Sequence, residues 1–298
     1  MSKNSSRRKW IKEMASCSLA VTAIASLNSF AFKEDTDEAL KLKGNINHSV
    51  CRWTYGFIPL DELCRAVKKI GFNAIDLVGP KDWPTLQKNG IFSSMCNGAE
   101  ISLTEGWNDK KYHATLIKNY TDAITLVAKA GYKNLICFSG SRRGMDDETG
   151  LKNCADGLKQ IMNVAEQNNV IVQMELLNSK VDHKDYMCDK TPWGVELVKK
   201  IGSPNFKLLY DIYHMQIDEG DIIRTINTNY QYFGHYHTGG VPGRHEIDES
   251  QELYYPAIMK AIVTTGFKDY VAQEFLPTGK DNDSKIASLK KAVKICDV

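Results

Sequence analysis

Several things are missing from this 298-residue chain, and each absence excludes a class of protein. Beyond the first 31 residues no apolar run reaches the roughly 20 residues that a membrane-spanning helix requires. No Cys-x-x-Cys pair occurs, which excludes a structural zinc ribbon. No stretch rich in proline, glycine or serine divides the chain from residue 45 onward. A GxGxxG turn is absent after the first strand candidate, which argues against a doubly wound dinucleotide fold. Histidine is scarce, at seven residues, and of eight cysteines the seven beyond residue 31, an odd number scattered through predicted strands and helices, do not form a disulfide framework. What remains is 43% hydrophobic and 25% charged, an ordinary globular balance.

Residues 1–31 read as an export signal. A basic patch from Ser6 to Lys12 precedes the small apolar run Cys17 to Ala25 and a small-residue cleavage site at Ser29-Phe30-Ala31. The paired Arg7-Arg8 resembles the twin-arginine type, which implies export of the folded protein to the periplasm of a bacterium. A frayed basic tail is the alternative. The segment holds five basic residues (Lys3, Arg7, Arg8, Lys9, Lys12) and Glu13. Taking these from the chain's 38 basic and 36 acidic residues leaves 33 and 35, a net charge of −2. That surface does not call for nucleic acid as a partner. Seven cysteines follow the signal, and most are expected to be buried small hydrophobes. Residues 32–44 read as a linker to a single domain over 45–298.

From residue 45 short apolar runs alternate with longer amphipathic ones. Strands are expected within 45–53, 74–79, 91–97, 134–140, 170–178, 206–214, 233–240 and 270–277. Helices are expected at 59–70, around Trp83 to Gly90, 110–130, 151–167, 191–201, 221–230, 253–265 and 284–295. Parallel neighbours need crossovers of this length, and eight strand–helix pairs in one domain favour a closed (β/α)8 barrel over an open sheet.

Four of the later runs carry an ionisable group near their carboxyl ends, where barrel active sites gather. They are Glu175, Asp211, His237 and Glu274, spaced by 36, 26 and 37 residues, one strand–helix unit apart. Three carboxylates and one imidazole on one mouth repel each other unless a cation sits among them. Oxygen-rich ligands with a single imidazole suit Mn²⁺, Mg²⁺ or Co²⁺. An ion holding an α-hydroxy-carbonyl through both oxygens stabilises an enediolate. One carboxylate then removes the proton alpha to the carbonyl and another returns it, which makes Glu175 and Glu274 the expected catalytic pair.

The run His235-Tyr-His237-Thr-Gly-Gly240-Val-Pro-Gly-Arg244-His245-Glu246, with Tyr255-Pro256 beyond it, resembles the hydroxypyruvate isomerase signature of the xylose isomerase-like TIM barrels. Ketose 3-epimerases are close relatives of that group. The resemblance extends to Asp211-Ile-Tyr-His214, to Glu175 with Asn178 and to Glu274-Phe-Leu-Pro277. It implies one divalent metal ion on Glu175, Asp211, His237 and Glu274, with the two glutamates also moving protons. The isomerase branch often carries glutamine where this chain has His237, and the epimerase branch carries histidine. Lys180 stands near where isomerases tend to have arginine.

His214 and Arg244 are placed to grip substrate oxygens, with Asn178 and His245 as further contacts. Each has a plainer reading: His214 as a packing or ligand-orienting residue, Arg244 as a surface charge, His245 and Glu246 as loop fasteners. Trp53, Trp107 and Trp193 are core residues or sugar-facing walls. His48 and Asp76, on the first two strands, are not expected to be ligands. Phe57, Tyr254 and Tyr255 are candidates for a contact in a homo-oligomer.

The expected activity is isomerisation or epimerisation of a small keto-sugar or hydroxy-keto acid. Export favours a free or oxidised sugar over hydroxypyruvate itself. A metal-dependent lyase and a carbohydrate-binding barrel without turnover are the alternatives. A nuclease on the same barrel needs more histidine and a basic groove.

Overall fold

The first helix of the barrel, α1 (Leu60–Ile70), shows why these segments fold as they do. Leu60, Leu63, Cys64, Val67 and Ile70 recur at helical spacing, and all are buried on one face. Asp61 and Glu62 sit in its first turn and Lys68 and Lys69 in its last, complementing the helix dipole. Gly71 then ends it at φ 122°, a backbone angle that side chains resist. Burying each large apolar side chain of such a face contributes about 1.5–3 kcal/mol.

A computed structural model describes residues 39–298. Residues 1–31, read as an export signal, and the expected linker up to residue 38 lie outside the described residues. Residues 39–44, read as the rest of the linker, lie against the barrel: the Leu40 N–H donates to Ile70 O at 2.9 Å, and Leu40 and Leu42 pack on the core.

Eight parallel strands make the barrel: β1 (Asn47–Val50), β2 (Ala74–Ile75), β3 (Phe92–Ser93), β4 (Asn134–Cys137), β5 (Ile171–Glu175), β6 (Phe206–Asp211), β7 (Phe233–Thr238) and β8 (Tyr270–Gln273). Six of them form one sheet in the order β1-β8-β7-β6-β5-β4, and β2 pairs with β3. Single parallel bridges, Cys51 with Asp76 and Cys96 with Leu135, join the two sheets and close the ring. The helices are α1, α2 (Trp83–Lys88), α3 (His113–Lys129), α4 (Asp147–Gln167), α5 (Thr191–Ile201), α6 (Ile212–Asp218), α7 (Ile222–Asn229), α8 (Tyr255–Thr264) and α9 (Asn282–Cys296). None is long and apolar enough to cross a membrane.

Two departures from the expected elements have local causes. Helix α4 begins four residues early because the Asp146 side chain accepts from Thr149 N–H at 2.8 Å, capping a turn inside an apparent loop. Helix α6 was not anticipated. Its seven residues follow β6 without a linker, and Asp211 ends the strand while accepting from the His214 N–H at 3.1 Å.

All seven described cysteines are buried and unpaired. Trp107 is fully buried beside Tyr120 and His113, and the Trp193 indole donates to Asp147 O. Neither lines the barrel mouth. Tyr255, a candidate for a subunit contact, is buried with its hydroxyl on Gly239, whereas Phe57 and Tyr254 are exposed.

The loops after β3 and β4 cross at Gly106 and Gly140. A Cβ on Gly106 would lie 2.4 Å from the Gly140 nitrogen and the Ser139 carbonyl carbon, both backbone atoms that cannot rotate aside. Gly106→Ala is therefore expected to lower stability by about 1–3 kcal/mol. Urea denaturation of the variant and the parent measures it; equal midpoints at equal slope contradict so close a crossing.

Candidate metal centre and active site

Glu175 is the last residue of β5, Asp211 the last of β6, His237 the fifth of six in β7, and Glu274 follows β8 directly. Asp211 and His237 are register partners across β6 and β7, and the Glu274 N–H donates to Thr238 O at 2.9 Å. Strand register thus delivers all four side chains to one place. One donor atom from each lies within 4.8 Å of the others, and all four residues are buried. His237 Nδ1 is 3.0 Å from Glu175 Oε1, 2.9 Å from Glu274 Oε2 and 4.0 Å from Asp211 Oδ2.

These residues fit a divalent cation. Asp211 Oδ2 is buried at the cluster without a hydrogen-bond partner, an arrangement that is costly for a carboxylate unless a cation completes it. The electrostatics report the same shortage of positive charge. Burial, then the neighbouring Glu274, push Asp211 well above the usual carboxylate range. Burial also raises Glu175, against the His237 hydrogen bond. At Glu274 burial is outweighed by Arg244 and His237, which hold it well below that range. At His237 burial is outweighed by Glu274 and its other neighbours, so the imidazole is pushed well up.

The residue that orients His237 was passed over in the sequence. Asp76 Oδ2 is 2.8 Å from His237 Nε2. A hydrogen on Nε2, donated to Asp76, leaves the Nδ1 lone pair facing the three carboxylates, the arrangement by which carboxylates orient metal-binding histidines. Asp76 is itself held: the Ser94 hydroxyl donates to Oδ1 at 2.5 Å and Ser49 Oγ lies 2.6 Å from Ser94 Oγ. His235 Nε2 lies 3.1 Å from Oδ1 without hydrogen-bond alignment. Burial opposes charge on Asp76, but His235 and His237 outweigh it and keep the carboxyl ionised. Asp76 lies outside the four-residue cluster. It belongs to a second group, Cys51, Asp76 and His237, in which burial pushes the Cys51 thiol far up.

The residues expected on substrate divide into two sets. Arg244 lines the cavity above the cluster. Its Nη2 is 2.5 Å from Glu274 Oε2 and 3.7 Å from Asp211 Oδ2, and its guanidinium sits 5.1 Å from the Trp53 ring and 5.4 Å from the Tyr213 ring. Asn178 and His214 lie behind the cluster instead. Asn178 Nδ2 is 2.6 Å from both His214 Nδ1 and Asp182 Oδ2. Its Oδ1 accepts from the Val181 and Asp182 N–H groups, so its polar atoms are already engaged. His214 is fully buried, with Nε2 3.7 Å from Asp211 Oδ2 and itself without a hydrogen-bond partner. His245 is turned to Leu276 O, with Nδ1 at 3.2 Å. With the Leu276 N–H donating to Arg244 O at 2.6 Å, it fastens the loop that carries Arg244. Lys180 donates to Ile217 O and Asp218 O, away from the cluster.

Two further residues meet the site: Trp53, read from the sequence as core or sugar-facing wall, and His183, which the sequence does not mark out. The Trp53 indole donates to Glu274 Oε1 at 2.7 Å, and of the three tryptophans it is the one that lines the cavity. His183 lines the cavity and packs its ring 5.1 Å from that of His214. Nothing in local periodicity signals it. His48 lies 3.6 Å from Asp297, apart from this cluster.

The closed parallel barrel, with a carboxylate-rich cluster at the carboxyl ends of its strands, defines a (β/α)8 barrel whose candidate site lies where barrel active sites gather. The chain belongs to the xylose isomerase-like TIM barrel family, whose pattern it matches over residues 64–292. It is 28% identical over 124 residues to a putative hydroxypyruvate isomerase of Homo sapiens, covering 42% of this chain and 45% of that one. It is 33% identical over 115 residues to the 2-oxo-tetronate isomerase of Cupriavidus necator, covering 39% and 44%. The chain thus spans about half the length of these curated relatives. Among solved structures it is similar to the D-psicose 3-epimerase of Clostridium cellulolyticum H10, with a TM-score of 0.68 at 20% identity, over 84% of this chain and 98% of that one.

Proposed function

We propose that this protein is a divalent-metal-dependent isomerase or epimerase of a small keto compound, working by proton transfer between Glu175 and Glu274. The observation that carries it is the meeting of four donor atoms, from Glu175, Asp211, His237 and Glu274, within 4.8 Å, with Glu175 and Glu274 lining a cavity. Mn²⁺, Mg²⁺ or Co²⁺ fits the donor set of three carboxylates and one imidazole, and such an ion supplies Lewis-acid polarisation of a substrate carbonyl. The relatives named for isomerases of hydroxypyruvate and 2-oxo-tetronate support the same class.

The chain's own residues do the rest. Glu175 and Glu274 both line the cavity, so each reaches a bound substrate. One carboxylate takes the proton from the carbon alpha to the carbonyl, and the C–H electron pair moves into an enediolate. The other returns a proton, to the neighbouring carbon for isomerisation or to the opposite face of the same carbon for epimerisation. The overall proton balance is zero either way. Trp53 and Arg244 each hold one oxygen of Glu274, which fixes its direction. The His214 backbone N–H holds Asp211 Oδ1 at 3.1 Å, and Asp76 holds His237.

The test is solvent-deuterium exchange into ketoses, keto-glycosides and hydroxypyruvate, followed by NMR before and after chelation. Exchange that stops with EDTA and returns with Mn²⁺ is the expected result. Equal exchange in chelated protein, or none with any compound, overturns the proposal.

A further inference from the structure

We propose that the substrate of this site is an uncharged keto sugar carrying a second ring-sized group, and that free keto acids are poor substrates. The inference rests on the isomerase or epimerase reading above and selects among its substrates. Three independent features of the cavity lead to it.

The first is charge. Glu100, Glu175 and Glu274 line the cavity, and Asp211 lies directly behind them. Arg244 is the one permanently cationic side chain among the described lining residues, and it is already engaged by Glu274 at 2.5 Å. Four carboxylates against one guanidinium and a doubly charged ion leave one negative charge in excess. Lys180, the nearest lysine along the chain from β5, is spent on the carbonyls that end α6. A substrate carboxylate would therefore enter against a field of its own sign.

The second is size. The cavity holds about 500 Å³, within the range of about 300–1,000 Å³ typical of sites for much larger ligands. A three- or four-carbon acid anchored at the cluster fills a small part of it and leaves the remainder to water.

The third is the chemistry of the wall. Leu77, Ile101, Leu103 and Phe138 line the cavity together with Trp53. Trp53 and Leu103 remain 47% and 36% exposed, so the rim of a polar catalytic floor is apolar. Leu77 adopts φ 55°, a left-handed backbone that costs a leucine energy, one residue after the aspartate that orients His237. Strain retained at such a position marks a functional constraint. A second sugar or aryl ring presents apolar faces that cover this rim and displace its water. A short open-chain acid presents none.

The experiment compares kcat/KM for solvent-deuterium incorporation by the Mn²⁺-loaded full chain on three probes: hydroxypyruvate, D-fructose and a phenyl keto-glucoside. The glycoside is expected to exceed D-fructose at least tenfold, with hydroxypyruvate lowest. In Leu103→Asp the ratio of glycoside to D-fructose is expected to fall toward one, mainly through KM for the glycoside. Hydroxypyruvate equal to or better than the glycoside overturns this inference while the isomerase reading stands. No exchange with any probe overturns both. The wild-type ranking decides the matter alone if the variant does not fold.

Discussion

Glu274→Gln is expected to lower proton exchange into substrate by about 10²–10⁴-fold, the usual contribution of a positioned general acid or base, while substrate binding persists. The side chain keeps its shape, and the amide oxygen of the variant still accepts from the Trp53 indole, which lies 2.7 Å from Glu274 Oε1 in the parent. What disappears is the carboxylate that removes or returns the proton. Arg244 loses its closest partner and retains only Asp211 at 3.7 Å. Glu175→Gln is expected to produce a loss of similar size while leaving the Arg244 hydrogen bond to Glu274 in place. Exchange measured by NMR, with binding by calorimetry at saturating Mn²⁺, separates the chemical step from affinity. A glutamine variant that exchanges at the parental rate removes Glu274 from the proton path and leaves it as a structural ligand.

The second large effect is expected at a residue that touches neither substrate nor metal. Asp76→Ala should weaken Mn²⁺ binding by about 10–100-fold, the range found when the partner that orients a metal-binding histidine is removed. Its carboxylate, 2.8 Å from His237 Nε2, decides which imidazole nitrogen faces the cluster. A general loss of stability would also reduce apparent affinity, so a double-mutant cycle is needed. In a His237→Gln background there is no imidazole tautomer to set, and Asp76→Ala is expected to cost little further affinity. Equal losses in both backgrounds would show that Asp76 supports the strand and not the histidine. Direct Mn²⁺ titration followed by EPR reads the result without reliance on activity.

Legibility differed between the two halves of the barrel. Strands β5 to β8 stand out because each is a long, mainly apolar run with an ionisable residue near its carboxyl end. Strands β2 and β3 pair over two residues each, so their backbone hydrogen bonding reveals less than their apolar runs suggest. Helix α6 escaped notice because Phe206 to His214 is continuously apolar or aromatic apart from Lys207 and Asp211. Only the cap made by Asp211 divides strand from helix there.

The pattern of residues along the chain was sufficient for the barrel and for the quartet Glu175, Asp211, His237 and Glu274. Alternation imposes the fold, and a charge that interrupts a buried strand every strand–helix unit requires a shared destination. Local pattern carries no information on which polar groups satisfy one another across the ring. Asp76 and His237 are 161 residues apart and meet only because β2 closes against β1, at the edge of the sheet that carries β7. The same closure placed Asn178 and His214 behind the cluster, engaged Arg244 with Glu274, and left an apolar rim above a negatively charged floor. Those assignments follow from burial and hydrogen-bond satisfaction, which exist only once the ring is shut.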